Sequence, residues 1–547
     1  MNPMTDLGLR FVRRPGPGGR AANLAALGAT AIVALLLTFL IAGSLGLAQR
    51  SDRVGWRSTD EGTADGAVGI LKEVRGKQLN GDPLTVIQLQ SLKPSNQPPP
   101  GLDHVPAPGE VFVSPEVAKQ WSGLKGEYGV DKPTGVITDK GLASPEELVV
   151  VQGVAKIDSN YPNYVGSWVN DTKDDRVYAL LIAVAFGIIL VLFPLLSLVG
   201  QAAGVAAKRR EHRLAALRLA GSTRAQVLWL SSVEQAVLGF AGAVVGLIGY
   251  VVLTPLIALI PLGGGRWYVS DITPNWWTVP LVLVAVPVLS VISALIGLGR
   301  VSITPLGVVR GQTRKATSAF RLVLLLIGPI MLATLGMGAA IVPLLIAIGF
   351  GALAVRIIGP WAVQMIGKIM ANTSNGPVPL LAGRRLADDP KGAFRPVAAL
   401  VLSGFVTGFI SVFIPGGDSD PTTQDMRIGV ALLLGLVFLT VAASTAAGAV
   451  GTALDQAKPA KALRRAGVPL SVIERSARLA AVTPVLGVGL PVVGFGALCG
   501  LALSGGQVFT QGNTGILLLI GQVVVGLVLV AVAGTAGSPV LRKASAN

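Results

Sequence analysis

The stretch Lys208-Arg-Arg-Glu-His-Arg-Leu-Ala-Ala-Leu-Arg-Leu-Ala-Gly221, continued by Ser222-Thr-Arg-Ala-Gln226, decides the fold because it falls between two long apolar runs. The run before it, Tyr178 to Ala207, is long enough to cross a bilayer, and basic side chains massed at the end of such a run belong on the cytoplasmic side. A short helix is expected, stopped at Gly221, because glycine takes the left-handed conformation at a helix end without a Cβ clash. Thr223 to Gln226 then reads as a capping box that starts the next helix and carries Glu234 towards the following apolar run. A basic patch touching anionic lipid is the simpler reading of the same residues.

A second copy shifts the balance between them. In Ala460-Lys-Ala-Leu-Arg-Arg-Ala-Gly467, the residues Leu463, Arg464 and Gly467 repeat Leu217, Arg218 and Gly221 at a constant offset of 246, and Ser471-Val-Ile-Glu474 reads as another capping box. The flanking apolar runs match in order and length. This is an internal repeat.

The 547 residues are 51% hydrophobic and only 14% charged, with 69 glycines, which fits a polytopic membrane protein and not a soluble enzyme. One cysteine, Cys499, gives no disulfide framework or thiol metal site, and two histidines, His104 and His212, leave little for histidine chemistry. The net charge of +16 is unevenly spread: residues 51–176 hold 13 Lys/Arg against 18 Asp/Glu, and the remainder 32 against 11. An external domain and basic cytoplasmic loops follow. Positive charge divided among short loops does not suggest nucleic acid.

Near the N-terminus, Arg10, Arg13, Arg14 and Arg20 lead into the apolar run 21–48. A secretory or twin-arginine signal is one reading, but the run exceeds the roughly 7–15 residues of a signal core. It also has a partner: Gly383, Arg385, Pro390 and Arg395 match Gly8, Arg10, Pro15 and Arg20 at an offset of 375. The larger offset means that the first half carries about 129 extra residues after its first span. That insertion, 50–176, contains Leu84–Leu89 and Glu147–Gln152, which read as strands, and Ser114-Pro115-Glu116 and Ser144-Pro145-Glu146, which read as helix starts. It is expected to be an α+β extracytoplasmic domain.

Ten spans are expected, at about 21–48, 177–204, 228–261, 277–299, 321–338, 341–366, 396–414, 427–453, 480–503 and 514–537. Basic clusters follow the even-numbered spans, while the opposite loops hold Arg266 with Asp271, or Asp418, Asp420 and Asp425. Both termini are therefore expected in the cytoplasm. The fold class is an all-α polytopic membrane protein, two parallel four-helix repeats joined by a two-helix linker, with one α+β external domain. In chain order the parts are 1–49 (basic lead and first span), 50–176 (external domain), 177–299 (spans two to four, elbow 208–227), 300–382 (linker) and 383–547 (second repeat, elbow 455–478).

No GxxxxGK[ST] occurs, so no phosphate-cradling loop is encoded, and neither a GxSxG elbow nor a carboxylate pair lies in the spans. No cofactor, metal or catalytic residue is expected. Glu234 is the single acid in the expected spans; it reads either as an interfacial carboxylate paired with Arg224 or the elbow, or as a structural tie between elbow and span. The shortage of ionisable groups near the midplane argues against an ion-coupled carrier.

At Arg209, Arg210, Glu211, Leu217, Arg218, Gly221, Ser222, Gln226, Val227 and Glu234 the sequence resembles the FtsX-like, or MacB-type, permeases of ABC transporters around their cytoplasmic coupling helix. Pro108–Lys119 and Gly141–Leu148 are similar to segments of that family's external domains. The resemblance implies a permease that does not hydrolyse ATP but docks a separate cytoplasmic ABC ATPase through Arg209, Arg210, Glu211, Leu217, Arg218 and Gly221, and through Leu463, Arg464 and Gly467. Two ATPase copies per chain follow from the two halves. ATP-driven movement passed outward would serve export or extraction of a lipophilic or peptide substrate; alternatively, the 50–176 domain would activate an extracytoplasmic partner such as a cell-wall hydrolase. The second elbow departs from the pattern, carrying Pro459 and Pro469 and lacking the Arg-Arg-Glu lead. The ten-span peptide-resistance permeases carry their large external domain in the second half, whereas here it follows span one.

Overall fold

The computed structural model describes residues 19–57, 69–92, 97–124, 126–157, 163–165, 221–262, 265–299, 358–394, 421–455, 465–503 and 514–537, with a few isolated positions. The chain divides into two compact units, one of Met1–Leu37, Gly187–Gly249 and Val279–Asn547, the other of Thr38–Phe186 and Tyr250–Thr278.

The second unit is built on a six-stranded sheet. β1 (Ile70–Leu79) and β2 (Asp82–Ser91) form an antiparallel hairpin. Asn80-Gly81 turns it with both residues at positive φ, 53° and 95°, the backbone that a two-residue hairpin requires. β3 (Val111–Val113), β4 (Gly135–Val136), β5 (Leu148–Gly153) and β6 (Asn163–Tyr164) complete the order β4-β3-β5-β2-β1-β6. The strands expected at 84–89 and 147–152 are β2 and β5, paired in parallel.

Side chains alternate across this sheet, yet both faces of its central strands β2, β3 and β5 are covered. Ile87, Leu89, Phe112, Val149 and Val151 enter one core with Trp56 and Trp168; Leu84, Val86, Val111, Val113, Leu148 and Val150 enter another with Trp121 and Tyr128. A strand buried on both sides reads as a continuous apolar run, which is what Leu148-Val-Val-Val151 is.

The helix start expected at Ser114 is observed: α2 (Pro115–Gln120) has proline in its first turn, and the Ser114 hydroxyl accepts from the Val117 N–H. The same hydroxyl accepts from Val149 N–H, tying the helix to β5. The second Ser-Pro-Glu behaves differently. Residues 144–147 make only a turn, because the Glu147 carboxylate is held by Arg57 and by the Ala143 N–H and β5 begins one residue later.

The first unit is helical. α1 (Gly19–Val54), α3 (Arg224–Ile257) and α4 (Thr278–Gly299) belong to the first half of the chain; from Thr38 on α1, from Tyr250 on α3, and at Thr278 of α4, they fall in the second unit. A helix over 358–373 (α5), α6 (Pro377–Asp388), α7 (Pro390–Phe394), α8 (Pro421–Asp455), α9 and α10 (Thr514–Gly534) belong to the second. α9 runs as Leu470–Pro484, passes a π-turn at Val485–Gly489 and continues as Leu490–Leu503. Small residues let these helices approach closely. A Cβ at Gly242 or Gly246 of α3 would strike Thr30 or Ala31 of α1, and one at Gly526 of α10 would strike the Phe438 ring of α8.

Among the described residues four helices are long and apolar enough to cross a membrane, Asn23–Arg57, Ala225–Ile257, Thr278–Leu295 and Leu470–Gly496, and Leu434–Ala449 and Val523–Gly534 are shorter apolar stretches. Their outward side chains are apolar as well; Ile248, Val252 and Leu256 of α3 are exposed, a surface suited to lipid. The spans expected at 177–204, 321–338, 341–366 and 396–414 lie wholly or largely outside the described residues.

Candidate functional site

Of the elbow residues, Arg209, Arg210, Glu211, Leu217 and Arg218 lie outside the described residues, as do Leu463 and Arg464. What is described is how each elbow hands over to the next helix. Gly221 and Gly467 have φ of 94° and 88°, the left-handed backbone that ends a helix. α3 starts at Arg224 and α9 at Leu470, each three residues after its glycine. The 246-residue offset of the sequence is thus also an offset in backbone conformation.

The two starts differ in chemistry. At the first, the Thr223 N–H donates to Gln226 Oε1 at 2.9 Å and the Gln226 N–H donates to Thr223 Oγ1 at 3.3 Å, a reciprocal capping box. At the second, the helix begins at Leu470, so Ser471 of the expected box to Glu474 is not the cap residue. The cap position falls on Pro469, which makes no side-chain cap bond, and Ser471 lies inside the first turn. Proline pre-sets the backbone there but offers no side-chain acceptor.

Glu234, on α3, is buried, as are Ser231 and Gln235, and the three share one face by their i, i+3, i+4 spacing. Ala480, one offset further on, packs instead against the apolar core of the second half. The lead-in residues Gly383 and Arg385 sit on α6, whose Ala382, Gly383 and Leu386 are buried. Burial lowers the Arg385 guanidinium from its ordinary value.

A second constellation lies in the sheet-bearing unit, at the end of α1. Arg50 and Arg53 lie at the end of α1 and Arg57 in the 3₁₀ turn Gly55–Arg57 that continues it, at i, i+3, i+7 along the chain. They grip three consecutive carbonyls: Arg57 donates to Gly141 O, Arg53 to Leu142 O and Arg50 to Ala143 O. Each also reaches further. Arg53 makes a two-pronged ion pair with Asp271, at 2.6 and 2.7 Å, and Arg57 a similar one with Glu147. Arg50 donates to the carbonyls of Leu262, Gly265 and Arg266.

Aromatic faces pack on the same forks, Trp267 against Arg50 at 5.0 Å and Tyr268 against Arg53 at 5.3 Å. Burial, the main cause, raises the Tyr268 phenol above its ordinary value. Arg50 is 3% exposed, and the Arg53 and Asp271 side chains are 19% and 2% exposed. The approach is close enough to exclude side chains: a Cβ at Gly46 of α1 would meet Trp267 at 2.8 Å and the Asp271 carbonyl at 2.7 Å. Arg266 pairs with Glu146 at 3.0 Å on the exposed rim.

Sequence reasoning counted Arg266 and Asp271 only as loop charges and did not single out the three arginines. The signal available was their spacing at the end of an apolar run, together with the family-like segment Gly141–Leu148 that they hold. Among the described residues no group of His, Cys, Asp and Glu is arranged to hold a metal.

The apolar helices make this a membrane protein. Residues 177–306, which contain the first elbow, α3 and α4, match the family described as FtsX-like permease C-terminal. No curated protein and no solved structure matches the chain.

Proposed function

We propose that the chain is the permease component of an ABC transporter, driven by a separate cytoplasmic ATPase. The observation that carries this reading is the match over 177–306, because that stretch encloses the basic elbow 208–221 by which such a permease would dock its motor. The paired glycine turns at 221 and 467 support a docking point in each half, hence two ATPase copies. Hydrolysis would belong to the partner, and the chain itself would bind no cofactor.

In this reading Arg209, Arg210, Glu211, Leu217, Arg218 and Gly221 form the first docking element, Leu463, Arg464 and Gly467 the second, and Glu234 ties the first to α3. Both termini face the cytoplasm, and ten spans carry the movement outward. The external domain, 50–176, receives it and uses it to extract or export a lipophilic or peptide substrate.

The test is ATP turnover by candidate ATPases co-reconstituted with the chain. Turnover stimulated by wild type and lost with Leu217→Asp/Arg218→Glu supports docking at the elbow; turnover indifferent to the chain removes the reading. Measuring substrate efflux and activation of a cell-wall hydrolase separately, with residues 50–176 deleted, distinguishes export from a purely mechanical regulator.

A further inference from the structure

We infer that Arg50, Arg53 and Arg57 are the positioning residues that make the sheet domain move as one body with the end of α1. The inference rests on the permease reading, and it names the parts through which movement would reach the domain.

The geometry is that of a ladder. Three arginines along the end of α1 and the 3₁₀ turn that continues it take three consecutive carbonyls, Gly141, Leu142 and Ala143, in reverse order. A single ion pair would pin the segment but let it pivot. Three rungs fix its register along the helix axis, because a slip by one residue misaligns all of them together. The acceptors are largely backbone, so the grip lies in the path of the chain, and guanidinium forks are suited to it because several donors leave one rigid plane.

The ladder joins segments far apart in sequence. Arg53 and Arg50 bind the 262–271 connection between α3 and α4 on their remaining donors, while Arg57 and the Ala143 N–H both bind Glu147. Leu148, the next residue, begins β5, which pairs with both β2 and β3. The held loop therefore runs directly into the interior of the sheet, and a displacement of α1 along its axis is passed to the strands without a slack linker. A role confined to stability would not need the register fixed.

The test uses the full chain in lipid nanodiscs with its ATPase bound, in a Cys499→Ala background. Spin labels go on Asp52→Cys in α1 and Gln78→Cys in β1, both exposed. Wild type should give one narrow distance distribution, equally narrow without nucleotide and in the vanadate-trapped state. Arg50→Ala/Arg53→Ala/Arg57→Ala should at least double its width while bound ATPase and turnover stay within two-fold. Should the triple variant fail to fold, Asp271→Asn, which removes one ion pair and keeps every arginine, should broaden it by an intermediate amount. Lysine at positions 53 and 57 should recover only part of the sharpness, since charge is kept and the fork lost.

An unchanged width in the triple variant, or in Asp271→Asn when the triple variant does not fold, overturns the ladder and leaves the permease reading intact. Wild type that binds no ATPase removes the permease reading and the driving role with it, whatever the widths.

Discussion

Gly221 and Gly467, 246 residues apart, share a left-handed backbone with φ of 94° and 88°, and each stands three residues ahead of a helix. In neither case would an added Cβ meet any atom within 4 Å. Steric room is therefore not the constraint; the backbone angle is. Alanine at either position should cost about 1–2 kcal/mol through the strain of a left-handed non-glycine residue, while asparagine should cost less. Thermal unfolding of Gly221→Ala, Gly467→Ala and the matching asparagine variants checks this, and equal stability of all four with wild type would contradict it.

The two helix starts should respond differently to loss of a side-chain cap. Thr223→Ala removes an acceptor that the Gln226 N–H uses and should destabilise the start of α3 by roughly 0.5–2 kcal/mol. Ser471→Ala should have little effect, because Ser471 is already inside the helix that begins at Leu470. Hydrogen exchange at the first turns of α3 and α9 reads both.

Asp271 and Glu127 each pair with a cation, in very different surroundings. The Asp271 side chain is 2% exposed beside Arg53, and that of Glu127 is 43% exposed beside Lys77. Asp271→Ala leaves the partly buried Arg53 guanidinium without its carboxylate and should cost about 1.5–3 kcal/mol; Glu127→Ala should cost no more than about 1 kcal/mol. Parallel denaturation of the two variants decides between burial and mere pairing as the source of stability.

The Glu110 carboxyl is lowered from its ordinary value, chiefly by the Ala107 N–H and then by His104. A carboxylate whose folded value is depressed stabilises the fold fully above its unfolded value, near pH 4.3, and loses that contribution as pH falls through the folded one. The thermal midpoint of wild type should therefore exceed that of Glu110→Gln at pH 7, with the gap closing below about pH 4. A gap that widened in acid would reverse the sign.

The same three letters, Ser-Pro-Glu, start a helix at 114 and make a turn at 144, and the difference lies in contacts that local sequence does not contain. Ser114 finds free N–H groups, whereas Glu147 is taken by Arg57 from 90 residues away. The strands around Leu84 and Val149 were legible from their β-branched residues, but burial of both sheet faces follows from packing by Trp56 and Trp121, which lie elsewhere in the chain. Gly221 was legible because its role is local. The arginine ladder was not, since its acceptors are largely carbonyls and every residue has one.

Two docking points in one chain would fix the stoichiometry of the complex, so the most direct measurement is the mass of the intact complex. Native mass spectrometry of the chain co-expressed with its ATPase should give two ATPase copies per chain. Substituting Leu217 and Arg218 should remove one copy, and substituting Leu463 and Arg464 as well should remove both. One copy in wild type would contradict the second docking point, and none under any nucleotide condition would contradict the permease itself.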